Sequence, residues 1–521
     1  METIATTQPQ ATPAAARPKT PKLGIALIAA GAFAVEMSVS ARYGYVRDEL
    51  YFLAAGHHLA FGYVDQPSLT PVLARISSAL TGDTVVGFRV LPALALVAMV
   101  MATATMSRIL GAGRTGQLLA ALAAATCGEY LGSMHELTTT TPDFVFWAVT
   151  IVLVMRLLTS GDPRWWLAIG GCVGIGLDAK WNIMFLATGL VIGFLATAAG
   201  DLELRSLLRS RYLVAAVLLA AALAAPDFIW QAQNGWPNLD VFRALQGQAW
   251  KNRATYWPAQ IFFTGPVLTP IWFGGLLWAL RSREARRYLP VAIACAFTIL
   301  AQFVLGGKPY YPGAAFTFLL AAGTVPLERR LARRAQRQAD SHAPRHVTPA
   351  VALGAAMLAG AAIGVQVALP VLPARALHAL PLQKINYDLA ETIGWPQLTA
   401  LVAREYEALP SAERAHTTIL TGNYGEAGAL ERYGAGYRLP QAYSGANNFW
   451  LWGPPPAADT TAIAINVNPA LLRKEFASVR QVAAFDNGLG VADDEQGAHI
   501  FVASGLKEPW TRVWQAFRDY S

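Results

Sequence analysis

Charge is scarce in this sequence. Asp, Glu, Lys and Arg make up 14% of its 521 residues, against 54% hydrophobic residues, whereas an ordinary globular chain carries about 25% charged residues. A soluble enzyme of this size is therefore excluded. Cysteine is nearly absent as well: Cys127, Cys172 and Cys295 stand far apart, each inside an apolar segment. They have neither metal-ligand spacing nor a reason to pair, and read as small packing residues. Neither a Walker lysine loop nor a Rossmann glycine pattern occurs, which argues against an ATP-driven pump or a nucleotide-sugar enzyme. There is also no internal repeat of the kind many transporters carry.

What is present is apolar sequence in long runs. The mean hydropathy is +0.35, and stretches such as Val85 to Met106 and Tyr212 to Ala225 reach or approach the ~20 residues that cross a bilayer as helix. The pattern predicts an α-helical polytopic membrane protein of about eleven spans. They are expected at 23–40, 83–107, 116–134, 143–160, 164–178, 182–199, 212–230, 258–280, 288–306, 311–327 and 348–370. The net charge of +8 does not indicate nucleic acid. Its basic residues gather in short connecting loops, for example Arg205, Arg209 and Arg211, or Arg329, Arg330, Arg333 and Arg334. Such loops mark the cytoplasmic side.

The sequence divides into three parts. Residues 1–22, rich in Ala, Thr, Pro and Gln, read as a disordered cytoplasmic tail. Residues 23–370 form the transmembrane domain. From 371 to 521 the composition becomes more polar, and Thr417-Thr418-Ile419-Leu420, Thr461 to Val467 and His499 to Ala503 read as short strands between helical stretches. A small α/β domain is expected there, and an odd number of spans puts it outside the cytoplasm.

The loops opposite the basic set are 41–82, 135–142, the Asp178-Ala179-Lys180-Trp181-Asn182 corner, 231–257 and 307–311. All the polar clusters with chemical potential fall in them, which points to one site on one side of the membrane. In Arg47-Asp48-Glu49-Leu50-Tyr51, adjacent carboxylates on a helix point about 100° apart. One can face a cavity while the other takes a structural partner, Arg47 or Arg42 being the nearest in sequence. Transfer of a sugar to a hydroxyl needs a base, and one carboxylate suffices. Gln66-Pro67-Ser68-Leu69-Thr70-Pro71 reads as an extended turn. His135-Glu136 reads as a hydrogen-bonding pair, and Thr141-Pro142-Asp143 as a helix start capped by Thr141. Lys180 and the segment Lys308-Pro309-Tyr310-Tyr311-Pro312 sit at the membrane boundary, where a Lys can snorkel and tyrosines form an aromatic belt. A cation fixed by prolines beside two phenols also suits a lipid phosphodiester. Lys251 and Arg253, among Trp236, Trp250, Tyr256 and Trp257, fit interface anchoring or a phosphate grip.

In order and sidedness these segments resemble glycosyltransferase family 39. That family is of the GT-C type, and its members include protein O-mannosyltransferases and the lipid A aminoarabinose transferase. The resemblance covers about 23–330 and extends to the tail elements Asn423-Tyr424-Gly425-Glu426-Ala427 and Ser444 to Pro454. It departs from the family's Pro-Pro-Leu segment, where Ser68 replaces the second proline and Gln66 stands where many relatives have Lys. The resemblance implies Asp48, with Glu49 beside it, at the catalytic position. It implies Lys308, Lys180, Tyr310 and Tyr311 around the donor phosphate and Asp143 lining the cavity; by their chemistry Arg253 is a further candidate for the phosphate, and His135, Glu136 and Gln66 for the cavity that takes the acceptor. It further implies a polyprenyl-phosphate-linked sugar as donor, a lipid, glycan or protein as acceptor, and no metal, nucleotide or other cofactor. The expected setting is a bacterial plasma membrane. A flippase of lipid-linked sugars and a non-catalytic membrane sensor are the alternatives from other classes.

Overall fold

The computed structural model describes residues 19–340, 348–379 and 386–520; most of the tail expected over 1–22 lies outside the described residues. Up to residue 368 the described chain is helical. Among the described residues, six helices are long and apolar enough to cross a bilayer: Lys22–Val39, Val85–Ile109, Thr140–Ser160, Arg211–Gln233, Arg286–Leu305 and Pro349–Ala368. Two shorter apolar helices, Trp165–Ala179 and Ile183–Ala198, pack beside them. Val214, Val217 and Leu218 remain exposed on Arg211–Gln233, as suits a surface facing lipid chains. Its other side meets Gly170 and Gly174, which lie against the backbone of Ala216 and Ala220. Small residues of this kind let helix backbones approach closely where lipid removes the hydrophobic drive to associate. The chain is a multi-pass membrane protein.

Two expected spans are not single helices. The span at 258–280 is a pair, Ala249–Thr264 and Thr269–Arg281, bent by 105°. Gly265, at φ +94°, is followed by Pro266, which cannot continue a helix. The span at 116–134 breaks at Thr126-Cys127 into Arg114–Ala125 and Gly128–Ser133. Hydropathy runs straight through both breaks, so composition alone conceals them.

The C-terminal part folds around a five-stranded sheet in the order β2-β1-β3-β5-β4, with β1 Thr417–Thr421, β2 Ala442–Ser444, β3 Thr461–Ile465, β4 Phe476–Ala484 and β5 His499–Leu506. β1 pairs in parallel with β2 and β3, while β5 runs antiparallel to β3 and β4. The sequence indicates β1, β3 and β5, all largely buried. It does not announce β2, which has only three residues, or β4, a mostly exposed edge.

The first-loop helix, Arg47–His57, does not lie free on a membrane surface. Leu50, Tyr51, Phe52, Leu53 and Ala54 are buried in one hydrophobic core with Leu398, Val402, Ile419, Leu430 and Ile463 from the C-terminal part. The contact runs through the helix Tyr424–Gly434, which starts in a capping box. Asn423 Oδ1 accepts from the Glu426 N–H at 2.9 Å, and Glu426 Oε2 accepts from the Asn423 N–H at 3.2 Å. Gly425 and Gly428 then turn toward Arg47 and Leu50; a Cβ on Gly428 would sit 2.8 Å from the Leu50 carbonyl oxygen. Only glycine permits this approach. Gly428→Val is expected to cost about 1–3 kcal/mol by overpacking and to loosen the C-terminal part from the helical part, read as a lower melting temperature and faster proteolysis between residues 370 and 400.

Candidate active site

The helix Arg47–His57 divides its two acidic residues as helix geometry requires. Glu49 is fully buried. Its Oε2 accepts from Arg89 Nη2 at 3.0 Å and from the Val46 N–H at 3.0 Å, and its Oε1 accepts from Arg89 Nε and the Leu137 N–H, each at 3.3 Å. Its partner is therefore Arg89, not Arg47 or Arg42. Arg42 donates to the Val371 carbonyl, and Arg47 pairs with Glu391 and Asp494. Arg89 is the residue that sequence reasoning missed. The visible signal was a lone guanidinium in the first turn of an otherwise apolar run, easily taken for a boundary charge.

Arg89 also donates to the carbonyls of Ser40 and Gly44 and to His135 Nε2 at 3.1 Å. His135 Nδ1 in turn donates to Glu36 Oε2 at 2.9 Å. Burial and the Arg89 charge hold the imidazole well below its ordinary range, so the neutral ring accepts from one neighbour and donates to the other. His135 thus belongs to a buried structural network and not to a cavity wall. Asp143 is likewise buried and spoken for, accepting from Trp147 Nε1 at 2.8 Å and Asn182 Nδ2 at 3.0 Å. Asn182 also donates to the Tyr311 carbonyl, so Asp143 supports the tyrosine segment from behind.

Asp48 is half-buried on the other side of the helix. Its Oδ1 accepts a 2.9 Å hydrogen bond from the Tyr424 hydroxyl. Asp388, in the loop before Trp395–Glu407, shares this space. It is exposed to solvent although protein groups crowd around its carboxylate. Burial and the Asp48 carboxylate push Asp388 up to about 6, against the pull of Lys308. Glu136 faces the same group of charges: burial, then Asp388 and Glu49, raise it well above the carboxylate range.

The cations gather at Tyr310 and Tyr311. Lys180 Nζ lies 4.8 Å from the Tyr311 ring centre and 5.4 Å from that of Tyr310, and it donates to Thr140 Oγ1 at 3.2 Å. Lys308 Nζ lies 6.0 Å from the Tyr310 ring centre. Residues far apart in sequence thus converge, with two lysines beside Tyr310 and Asp388 acting on Lys308, Asp48 and Glu136. Arg253 is not part of this group; it is exposed and donates to the Val304 carbonyl at 2.8 and 3.1 Å. Gln66 is buried under the first loop, and its side-chain amide has no hydrogen-bond partner among the described residues. Nearby Ser68 donates to Asp178 Oδ2 at 2.9 Å, and Asp65 accepts from Tyr51 at 2.7 Å and Asn447 at 3.3 Å.

Comparison with known proteins bears on this arrangement. Residues 65–230 match the family model described as dolichyl-phosphate-mannose-protein mannosyltransferase. The structure is similar to that of ArnT from Cupriavidus metallidurans bound to undecaprenyl phosphate, with a TM-score of 0.54 and 15% identity over 92% of this chain and 98% of ArnT. The chain has the GT-C fold. It is also similar to a mutant form of the arabinofuranosyltransferase AftD from Mycobacteria, with a TM-score of 0.52 and 14% identity over 94% of this chain and 42% of AftD. Comparison with curated proteins returns no match. The GT-C likeness read from the sequence motifs is thus borne out by both fold and family model.

The two kinds of carboxylate should respond differently to mutation. Arg89→Met leaves Glu49 buried without its countercharge, and a loss of about 3–5 kcal/mol is expected, measured by thermal unfolding in detergent. Asp388→Asn should instead stabilise the protein. Because its folded pKa is raised, the native state disfavours the ionised form, and the penalty is present above pH ~6 and absent below pH ~4. The gain from Asp388→Asn should appear at pH 7 and vanish at pH 4.

Proposed function

We propose that this protein is a membrane glycosyltransferase that moves a sugar from a polyprenyl-phosphate donor to an acceptor hydroxyl on the extracytoplasmic face. The observation that carries this reading is that Asp48 and Lys308 both act on Asp388, and that Asp48 also acts on Tyr310, beside which Lys180 and Lys308 lie. A base and a phosphate grip from separate loops would then work side by side. The GT-C fold supports it, as does the undecaprenyl phosphate bound to ArnT. The basic loops between spans support the extracytoplasmic placement.

In this mechanism Lys308 and Lys180 hold the donor phosphate, and the phenol of Tyr310 keeps them apart. Asp48 takes the proton of the acceptor hydroxyl as its oxygen attacks the anomeric carbon. The bond from that carbon to the phosphate oxygen breaks, its electron pair leaves with the polyprenyl phosphate, and the lysines offset the charge that develops. A single displacement inverts the anomeric configuration. Glu49 takes no proton in this scheme and acts through the helix it anchors. Glu136 and Asp388 line the space into which the acceptor enters. Arg253 has no place in it.

Purified protein incubated with a radiolabelled polyprenyl-phosphate sugar and a membrane extract should transfer label to the extract. Asp48→Asn should abolish transfer while the protein still folds and binds donor. Lys308→Ala should raise the donor KM by about 10–100-fold, the effect of losing one charge-assisted contact. An active Asp48→Asn enzyme would sink the mechanism; label that crosses a bilayer without transfer would make the protein a flippase.

A further inference from the structure

The C-terminal part reaches the reacting carboxylate directly. Tyr424 opens the helix Tyr424–Gly434, and its hydroxyl is the one group that donates to Asp48 among the described residues. The ring is held from two directions. It packs on Tyr51 with centres 4.9 Å apart, and the Arg47 guanidinium lies 5.5 Å from its centre. Arg47 is itself fixed by Glu391 at 3.4 Å and Asp494 at 2.7 Å, both from the C-terminal part. The capping box at Asn423 and Glu426 sets where the helix begins. Close approach at Gly425 and Gly428 sets its height on the first-loop helix. Three independent features therefore aim one hydroxyl at one carboxylate oxygen. A tyrosine needed only for packing would not require its oxygen to be placed so narrowly.

We propose that Tyr424 is a positioning residue supplied by the C-terminal part, which orients the Asp48 carboxylate so that Oδ2 is presented to the acceptor hydroxyl. The inference rests on Asp48 being the base and deepens that reading. Oδ2 accepts no hydrogen bond among the described residues, so tying Oδ1 leaves a single oxygen for the proton. Burial, with Asp48 beside it, raises the Tyr424 phenol well above its ordinary value, and it stays a donor throughout the working range. The sheet-bearing region is then part of the catalytic unit: undocking it removes the orienting hydroxyl.

The test uses the full-length protein in detergent or nanodiscs, with Tyr424→Phe, Tyr424→Ala and Asp48→Asn assayed side by side. Phenylalanine keeps the ring contacts and deletes only the hydroxyl. The expected result is a fall in kcat of about 10–100-fold for Tyr424→Phe, the range for losing a hydrogen bond to a charged group. The donor KM should stay within about twofold and the melting temperature should stay that of wild type. Tyr424→Ala should lose thermal stability in addition. If Tyr424→Phe restores full kcat while Asp48→Asn is dead, Tyr424 only packs and the positioning proposal fails, leaving the base intact. If Asp48→Asn is active, both readings fall together. Should the Tyr424→Phe protein not fold, 3-fluorotyrosine at the same position keeps the contacts and makes the phenol more acidic. A changed kcat at unchanged donor KM then supports positioning, and an unchanged kcat overturns it.

Discussion

The buried pair of Arg89 and Glu49, 3.0 Å apart, organises everything around the site. Taking both charges out of water costs several kcal/mol per ion, and the attraction between them offsets this only when the remaining hydrogen-bonding positions are also filled. Here they are. The guanidinium reaches the Ser40 and Gly44 carbonyls and His135 as well as Glu49, and the carboxylate takes two backbone N–H groups besides. One side chain therefore joins the end of the first long helix, the turn after it, the first-loop helix and the loop before Thr140–Ser160. Such a node is expensive to break and leaves little freedom in how Arg47–His57 is rotated.

That rotation has a chemical consequence. With Glu49 turned to Arg89, the neighbouring Asp48 must point about 100° away, toward the space shared with Asp388, Glu136 and Lys308. The opposite side of the helix is covered by the C-terminal part, whose core it joins. In the proposed mechanism Asp48, held between a buried ion pair and the C-terminal part, would have little rotamer freedom left before substrate arrives, which favours proton removal from a bound hydroxyl.

Much of this was legible in the sequence, and the gaps have physical causes. Helix geometry alone says that Asp48 and Glu49 point apart, but not which of them takes the buried partner. The segment Lys308-Pro309-Tyr310-Tyr311 carries its grouping in its own short length. The identity of the Glu49 partner was not legible, because Arg89 is brought there by tertiary folding and a single charge in an apolar run looks like a boundary residue. His135 and Asp143 have the right chemistry for a cavity, yet each is consumed by buried neighbours that no local pattern reveals. Lys180 and Lys308 stand 128 positions apart in the sequence; only the structure puts them beside one ring. The Gly265-Pro266 bend was hidden by unbroken hydropathy, although the dipeptide that causes it was in plain view.

Charge sets the last constraint on the proposed site. A lipid phosphate arriving near Asp48, Glu136 and Asp388 would be repelled by their carboxylates, and the attraction of one lysine would be offset. Two features relieve it. Burial keeps Glu136 well above the usual carboxylate range and moves Asp388 to about 6, which reduces the negative charge present when the phosphate arrives. The second is the pair of cations, Lys180 and Lys308, beside Tyr310, where they also face the carboxylates of Glu129, Asp143 and Asp388. In the proposed mechanism a donor phosphate held by Lys180 and Lys308 would turn its sugar toward Asp48, with the anomeric carbon between the lysines and the base.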